Sequence, residues 1–360
     1  MPTRDQLDEA VAAGVIGRAE ADRLADFLAR REAGAAWIGP PEDAETIRFV
    51  RGFHDIFLTI GVVLLLTGIG YTVAIFAGAL SGLAVAVAAL ALAFYFTQRR
   101  RLTLPSIALS IAFALAVGYL AAAFLTGLVV AGAPDRLPPP GVSADRLSML
   151  FFAGAATLAS FAYYLYFRLP FTVGQTAVAV TAAAWFLIAV LAPDRVEAWT
   201  TPLFLVIGVA TFMLAMRYDL RDPARQTRLS DVAFWLHLAA APMIVNSAMG
   251  FVWTTDRASL GLGDAFSTIV LIAALAIVAV IIDRRALLVA GLIYFGVALS
   301  VIINRTGMDE AAVTALTVLG LGAALLLLGV GWRRTRHAVV SQLVPGALAR
   351  RLPTAEPEHA

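Results

Sequence analysis

Long apolar runs follow one another from Asp55 to Trp332, and they restrict the possible folds more than any other feature of this 360-residue chain. A helix needs about 20 apolar residues to cross a hydrocarbon layer about 30 Å thick. The run from Ile56 to Phe96 is twice that long and therefore predicts two helices joined by a turn at 78–82. Backbone groups in hydrocarbon must bond within their own segment, and no barrel-like alternation is present, so every span is predicted to be a helix.

Two further runs are interrupted in the same way, at 168–170 and at 283–285. The sequence thus predicts an all-α fold, a polytopic transmembrane helix bundle of about ten spans. The predicted spans are 55–77, 79–97, 104–126, 147–166, 169–191, 201–217, 232–252, 265–282, 286–303 and 311–332. Composition agrees, since 60% of the residues are hydrophobic and 14% are charged, against about 45–50% and about 25% in soluble proteins. A soluble enzyme, a disordered chain and a disulfide scaffold are thereby excluded.

The arginines predict how the spans are oriented. All 27 basic residues are arginine, because the chain contains no lysine. With a cytoplasmic N-terminus and ten spans, 22 arginines fall in cytoplasmic segments and five in outer loops. Positive residues in short loops stay on the cytoplasmic side, so both termini are predicted to be cytoplasmic. The heavy use of alanine and the choice of arginine over lysine indicate a bacterial protein, and hence a multi-pass protein of the inner (cytoplasmic) membrane.

The segments outside the bundle are short. Residues 1–31 predict a cytoplasmic helical hairpin, 32–52 a linker, 53–332 the bundle, and 333–360 a cytoplasmic tail with an interfacial helix. Up to Arg51 the chain has seven arginines against ten carboxylates, which excludes a basic surface for nucleic acid. Residues 3–31 are instead predicted to bind a protein partner or a second copy of the chain, while the bundle contacts the lipid bilayer.

Residue types that the chain lacks exclude much chemistry. Without lysine there is no phosphate-binding Walker loop and no Schiff base. Without cysteine there is no thiolate zinc site and no cysteine-held iron–sulfur cluster. The four histidines do not have the spacing of metal ligands. We therefore predict no catalytic residue, no cofactor and no metal from sequence motifs.

A few polar residues nevertheless lie at membrane depth, where each is costly enough to indicate a role. These candidates are His54, Asp55, Asp231, His237 and Asn246. One hypothesis is that they form a relay for a proton or a solute near the inner face. The other is that Asp55 and Asp231 lie at helix starts, where negative charge suits the helix dipole, and that His237 bonds to a neighbouring helix. His237 and Asn246 are nine residues apart and face opposite sides of one helix unless Pro242 breaks it.

The hairpin resembles the N-terminal segment of uncharacterised bacterial polytopic membrane proteins of the domain-of-unknown-function type. The residues that carry the resemblance are Leu7, Val11, Gly14-Val15-Ile16, Ala21 and Leu24. Those proteins also place a short helical hairpin before a polytopic core. The resemblance implies the same order of parts, and it implies no activity and no site residues.

Two classes of function stay open. The first is non-enzymatic, either the transport of a small solute or a scaffold or regulatory role in the membrane. Ten spans divide into two five-span halves of opposite orientation, which is the arrangement that inverted repeats require. The alternative is a membrane-embedded enzyme that acts on a lipid or lipid-linked substrate, with His54, Asp55 or His237 as the acid or base.

Overall fold

The computed structural model of the chain describes residues 4–15, 17–25, 42–132, 143–222, 227–253, 260–284 and 286–343. Within these ranges all regular secondary structure is helical. Nine of the described helices are long and apolar enough to cross a membrane. The predicted fold class, an all-α polytopic helix bundle, is thereby confirmed.

The helices are numbered in chain order. They are α1 (Arg4–Ala12), α2 (18–25), α3 (Glu42–Ala77), α4 (Leu80–Ala93), α5 (Thr103–Gly132), α6 (Ala144–Phe167), α7 (Phe171–Leu191), α8 (Val196–Asp219), α9 (Arg228–Val252), α10 (Leu262–Ile282), α11 (Ala286–Asn304) and α12 (Glu310–Leu343). A π-helical segment, Phe94–Arg99, continues α4, and a 3₁₀ turn, Pro193–Arg195, leads into α8.

The predicted spans agree with the helices, with one qualification. The nine long spans cover every predicted span except 286–303. That span corresponds to α11, whose described apolar portion, Ala290–Asn304, is shorter than the others. The three predicted breaks are confirmed, since helices end and begin again around 78–79, 168–170 and 283–285. These breaks follow from sequence because charged residues and glycine interrupt apolar helices locally.

The N-terminal unit, Met1–Ile60, contains α1, α2 and the start of α3. Gly14 has a φ of +71° in the turn after α1, a conformation that glycine adopts without steric cost. The backbone N–H of Gly17 donates to Glu20 Oε2 at 3.0 Å and so caps the start of α2. Residues 1–3, 16 and 26–31 of the predicted hairpin lie outside the described residues. The predicted partner surface of this segment stays a prediction.

The structure also shows where helix begins in the predicted linker and how far it continues into the predicted tail. α3 begins at Glu42, inside the predicted linker, whose residues 32–41 lie outside the described part of the chain. At the other end α12 continues past the predicted limit of the last span to Leu343. The rest of the predicted tail, 344–360, lies outside the described residues.

Helix α9 is the most enclosed of the described spans in the second unit, Gly61–Ala360. In the 18-residue apolar stretch of α9, 61% is buried inside the protein. In every other described span the buried share of that stretch is at most 28%. It packs against α8, α7 and α11. The close approach to α7 depends on Gly174, because a Cβ there would lie 2.7 Å from the backbone oxygen of Trp235. Small residues thus let neighbouring backbones surround α9.

Candidate functional site

Three charged or titratable side chains meet inside the second unit, where α8, α9 and the α10–α11 turn come together. Asp219 is 5% exposed, His237 is 1% exposed and Arg284 is 7% exposed. We call these three residues the charged cluster. Burying ionisable groups within a bundle of membrane-spanning helices is costly, so these three residues form a candidate functional site.

The carboxylate of Asp219 is the centre of the charged cluster. Its Oδ2 lies 2.9 Å from His237 Nε2 and accepts a hydrogen bond of 3.1 Å from Arg284 Nε. Its Oδ1 accepts a second bond from Arg284, donated by Nη2. The arginine therefore binds the carboxylate through two nitrogens, the strongest geometry that this pair can adopt.

Local structure explains why these residues meet. Asp219 is the last residue of α8, and His237 lies on the buried face of the antiparallel α9. The ring of His237 packs edge-on against Phe212 of α8, with ring centroids 5.1 Å apart. Arg284 reaches the cluster because α10 ends at Ile282 and the next residue, Asp283, has a φ of +56° and turns the chain.

The hydrogen bonds determine where a proton can be added. Because the carboxylate accepts, His237 Nε2 must carry the hydrogen of their shared bond. A neutral ring then leaves Nδ1 as the basic atom. Nδ1 is buried and has no hydrogen-bond partner among the residues that the structure describes. The negative charge of Asp219 and the positive charge of Arg284 cancel. A proton on His237 Nδ1 would therefore give the whole cluster a net positive charge.

A second set of contacts joins the charged cluster to α12. Asp283, the neighbour of Arg284, accepts a hydrogen bond of 2.8 Å from Trp332 Nε1. Arg336 Nε lies 3.8 Å from the same carboxylate oxygen of Asp283. Asp283 therefore contacts α12, whereas Arg284, the next residue of the α10–α11 turn, contacts Asp219 of α8.

A separate polar network lies between α5, α6 and α7 and is uncharged. Gln175 Nε2 donates to the backbone oxygen of Ser110 at 3.1 Å and to Ser160 Oγ at 3.0 Å. Ser110 Oγ donates to Gln175 Oε1 at 3.0 Å. All the polar atoms of the Gln175 amide are thus used in cross-helix bonds, which is ordinary packing in a helix bundle.

Sequence analysis singled out five residues, and they have different environments. His54 is exposed and Asp55 is half-buried in the N-terminal unit, while Asp231 is exposed in the first turn of α9. Asn246 is exposed and accepts a hydrogen bond from the hydroxyl of Tyr294 on α11. His237 belongs to the charged cluster. The relay through all five residues stays a prediction.

The helix geometry around Pro242 follows the sequence argument. α9 continues through Pro242 as an unbroken helix. His237 and Asn246 accordingly face opposite sides, one toward Asp219 and the other toward Tyr294.

Sequence reasoning missed the two partners of His237. Asp219 and Arg284 each lie at the end of a span, and they were assigned only to loops or breaks. The sequence carried little signal for this pairing, because Asp219 lies in a predicted loop that also contains Asp222 and several arginines. Which arginine it would bind depended on helix packing between residues 65 positions apart.

The charged cluster offers only two groups that can bind a metal ion, and its guanidinium repels cations. Among the described residues, no group of three or more histidine, cysteine, aspartate and glutamate side chains could hold a metal. No protein-family model, curated protein or solved structure matches this chain. Within the cluster, the side chains that can gain or lose a proton are those of Asp219 and His237.

Proposed function

We propose that this protein is a non-enzymatic, multi-pass protein of the bacterial inner membrane that couples proton movement to the transport of a small solute. The observation that carries the proposal is the buried charged cluster of Asp219, His237 and Arg284. The imidazole ring of His237 can take up a second proton on Nδ1, the atom that has no hydrogen-bond partner among the described residues. Asp219 and Arg284 hold the ring and balance each other's charge.

The cost of burying charge supports a functional role over a purely structural one. A buried ion pair is seldom more stable than well-packed apolar side chains of the same volume. The cross-helix bonds around Gln175 show that this chain also joins helices with uncharged groups. A neutral network could have joined α8, α9 and the α10–α11 turn equally well. The use of charged groups there is therefore best explained by a need to bind a proton.

The arrangement of arginines supports a definite orientation of the site. The ends of α8 and α10, where Asp219 and Arg284 lie, belong to the arginine-rich side of the alternating spans. With both termini in the cytoplasm, the charged cluster lies near the cytoplasmic ends of these helices. Protons would then be exchanged with the cytoplasm at this end of the bundle.

The orientation can be tested directly because the chain has no cysteine of its own. Single cysteines replacing the exposed residues Arg221 and Arg305 provide one probe on each predicted side. In intact cells a membrane-impermeant maleimide should label the Arg305→Cys variant and spare Arg221→Cys. Labelling in the reverse order would refute the proposed topology.

Transport can be tested in everted membrane vesicles that contain the full chain and are energised by respiration. Acridine orange fluorescence reports proton movement while amino acids, sugars and monovalent cations are added in turn. We expect at least one class to dissipate the proton gradient in vesicles with the protein and to have no such effect in vesicles without it.

The role of the cluster is tested with His237→Gln, because an amide can still donate to Asp219 but cannot carry the proton. Solute-dependent proton movement should be lost in this variant. The matched control is His337→Gln, which alters an exposed histidine of α12. Equal activity of both variants, or no proton movement with any solute class, would refute the proposal.

A further inference from the structure

Two neighbouring turns carry four exposed arginines, Arg99, Arg100 and Arg101 between α4 and α5, and Arg168 between α6 and α7. We call them the arginine patch. The turns lie against each other, since the ring of Phe94 is 5.6 Å from that of Phe167, centroid to centroid. Aromatic packing between the π-helical segment and the end of α6 thus places the two arginine-bearing turns at the same end of these helices.

We infer that the arginine patch binds the phosphate headgroup of an anionic phospholipid. This inference concerns a surface separate from the charged cluster and goes beyond the proposed transport function. The inference does not depend on which side of the membrane is cytoplasmic, because the patch lies at the ends of membrane-spanning helices in either case.

The charge of the arginine patch is not balanced by nearby carboxylates. The sequence contains no aspartate or glutamate between Asp55 and Asp135, and none between Asp145 and Asp194. Within the described part of the chain, none of the four arginines forms an ion pair. The turns around α8, α9 and α10 differ, because there Asp219 and Asp283 bind arginines. The described residues therefore leave these guanidinium groups available to an anion from outside the chain.

Backbone conformation bears on why arginine occupies two of these positions. Arg101 and Arg168 both have a φ of +53°, a left-handed conformation that is unfavourable for any residue with a Cβ. The turns after α3 and α11 use glycine for the same conformation, at Gly78 and Gly307. Glycine would relieve this backbone cost at both positions. Arg168 Nε donates to the backbone oxygen of Leu165 at 3.2 Å, which gives that side chain a structural role as well. The side chain of Arg101 has no such bond to a described residue, so its arginine is better explained by a ligand.

The surroundings suit a headgroup at the membrane surface. Exposed rings flank the patch, with Tyr95 43% and Tyr166 59% exposed, and such rings prefer the headgroup level. The hydroxyl of Tyr95 accepts two hydrogen bonds from Arg100, at 3.0 and 3.1 Å, and so orients its guanidinium without neutralising it. The π-helical segment Phe94–Arg99 lies beside these residues, and such segments occur frequently at functional sites.

The test uses the full chain in neutral detergent micelles, with native mass spectrometry to count bound lipid. Phosphatidylglycerol is the anionic probe and phosphatidylcholine the neutral one. The variant Arg101→Gly with Arg168→Gly removes two side chains and leaves each turn with the residue that best tolerates its φ. Each arginine near an anionic lipid surface contributes about fivefold, so phosphatidylglycerol should bind about thirtyfold more weakly to the variant. Phosphatidylcholine binding should not change.

The matched control is Arg195→Gln with Arg305→Gln, which removes two exposed arginines from other turns and should leave phosphatidylglycerol binding unchanged. Thermal stability without lipid should be equal or higher in the double glycine variant, which separates lost binding from lost folding. Unchanged binding in that variant, or an equal loss in the control, would overturn the inference. Displacement of phosphatidylglycerol by millimolar inorganic phosphate would also overturn it, because the site would then bind free phosphate.

Discussion

Breaking the ion pair between Asp219 and Arg284 should destabilise the protein far more than removing both charges together. Both side chains are buried, and the carboxylate accepts two hydrogen bonds from the guanidinium and one from His237. Asp219→Asn removes the charge while keeping the shape, and it leaves a buried cation without its anion. Loss of one partner of a buried pair costs about 3–5 kcal/mol.

The structure predicts an order among the variants. Arg284→Met should cost less than Asp219→Asn, about 2–3 kcal/mol, because Asp219 keeps its bond to His237 and a charged hydrogen bond contributes about 1.5–3 kcal/mol. The double variant Asp219→Asn with Arg284→Met contains no unpaired buried charge. Its cost should be no more than about 1 kcal/mol, instead of the sum of the single costs of about 5–8 kcal/mol, which gives a coupling of at least about 4 kcal/mol.

The free energy of unfolding can be measured by SDS titration in mixed micelles, with tryptophan fluorescence as the signal. Asp231→Asn is the matched control, since Asp231 is exposed in the same part of the chain, and it should change the free energy by no more than about 0.5 kcal/mol. Additive single effects, or a cost of Asp219→Asn no larger than that of the control, would refute the view that the pair is buried and coupled.

Three other substitutions test the packing and the turns by the same unfolding measurement. Gly174→Ala should destabilise by about 1–3 kcal/mol, because the new Cβ would lie 2.7 Å from a backbone oxygen of α9. Gly154→Ala, with no atom within 4 Å of its Cβ, should instead stabilise α6 by up to about 1 kcal/mol, and equal effects of the two would contradict the close packing of α9. Arg168→Gly should stabilise the lipid-free protein by about 1 kcal/mol because it relieves a left-handed backbone conformation, and a loss of stability would argue against that conformation. Trp332→Phe should cost about 1–2 kcal/mol because it removes the donor to Asp283, and a neutral result would show that this bond does not hold α12.

Most of the helix boundaries could be predicted because they depend on local composition. Arg168 and Asp283 interrupt apolar runs, and in the structure both have left-handed backbone conformations directly after a helix. The limits of α3 and α12 were harder to predict, since helix continues at Glu42 and up to Leu343 through polar sequence. Hydropathy marks the part of a helix that can lie in lipid and contains no signal for where the helix itself ends.

The candidate site could be predicted only in part. His237 was found because an ionisable residue inside an apolar span stands out in one sequence. Its partners Asp219 and Arg284 lie at span ends, where charge is common and carries little information. Their meeting depends on how α8, α9 and α10 rotate and pack, which is a property of three helices together. The arginine patch was visible only as part of the orientation signal, because neither the positive φ angles nor the contact between its two turns can be seen in the sequence.

The ion pair between Asp219 and Arg284 also affects how the protein is inserted into the membrane, because the two residues are synthesised at different times. Arg284 follows Asp219 by 65 residues, so at about 5–20 residues per second the ribosome adds it about 3–13 seconds later. During that interval the α8–α9 hairpin contains a carboxylate whose only partner in the cluster is His237. We therefore expect the hairpin to stay near the translocon or the membrane surface until α10 emerges, and the arrival of Arg284 to complete its transfer into lipid.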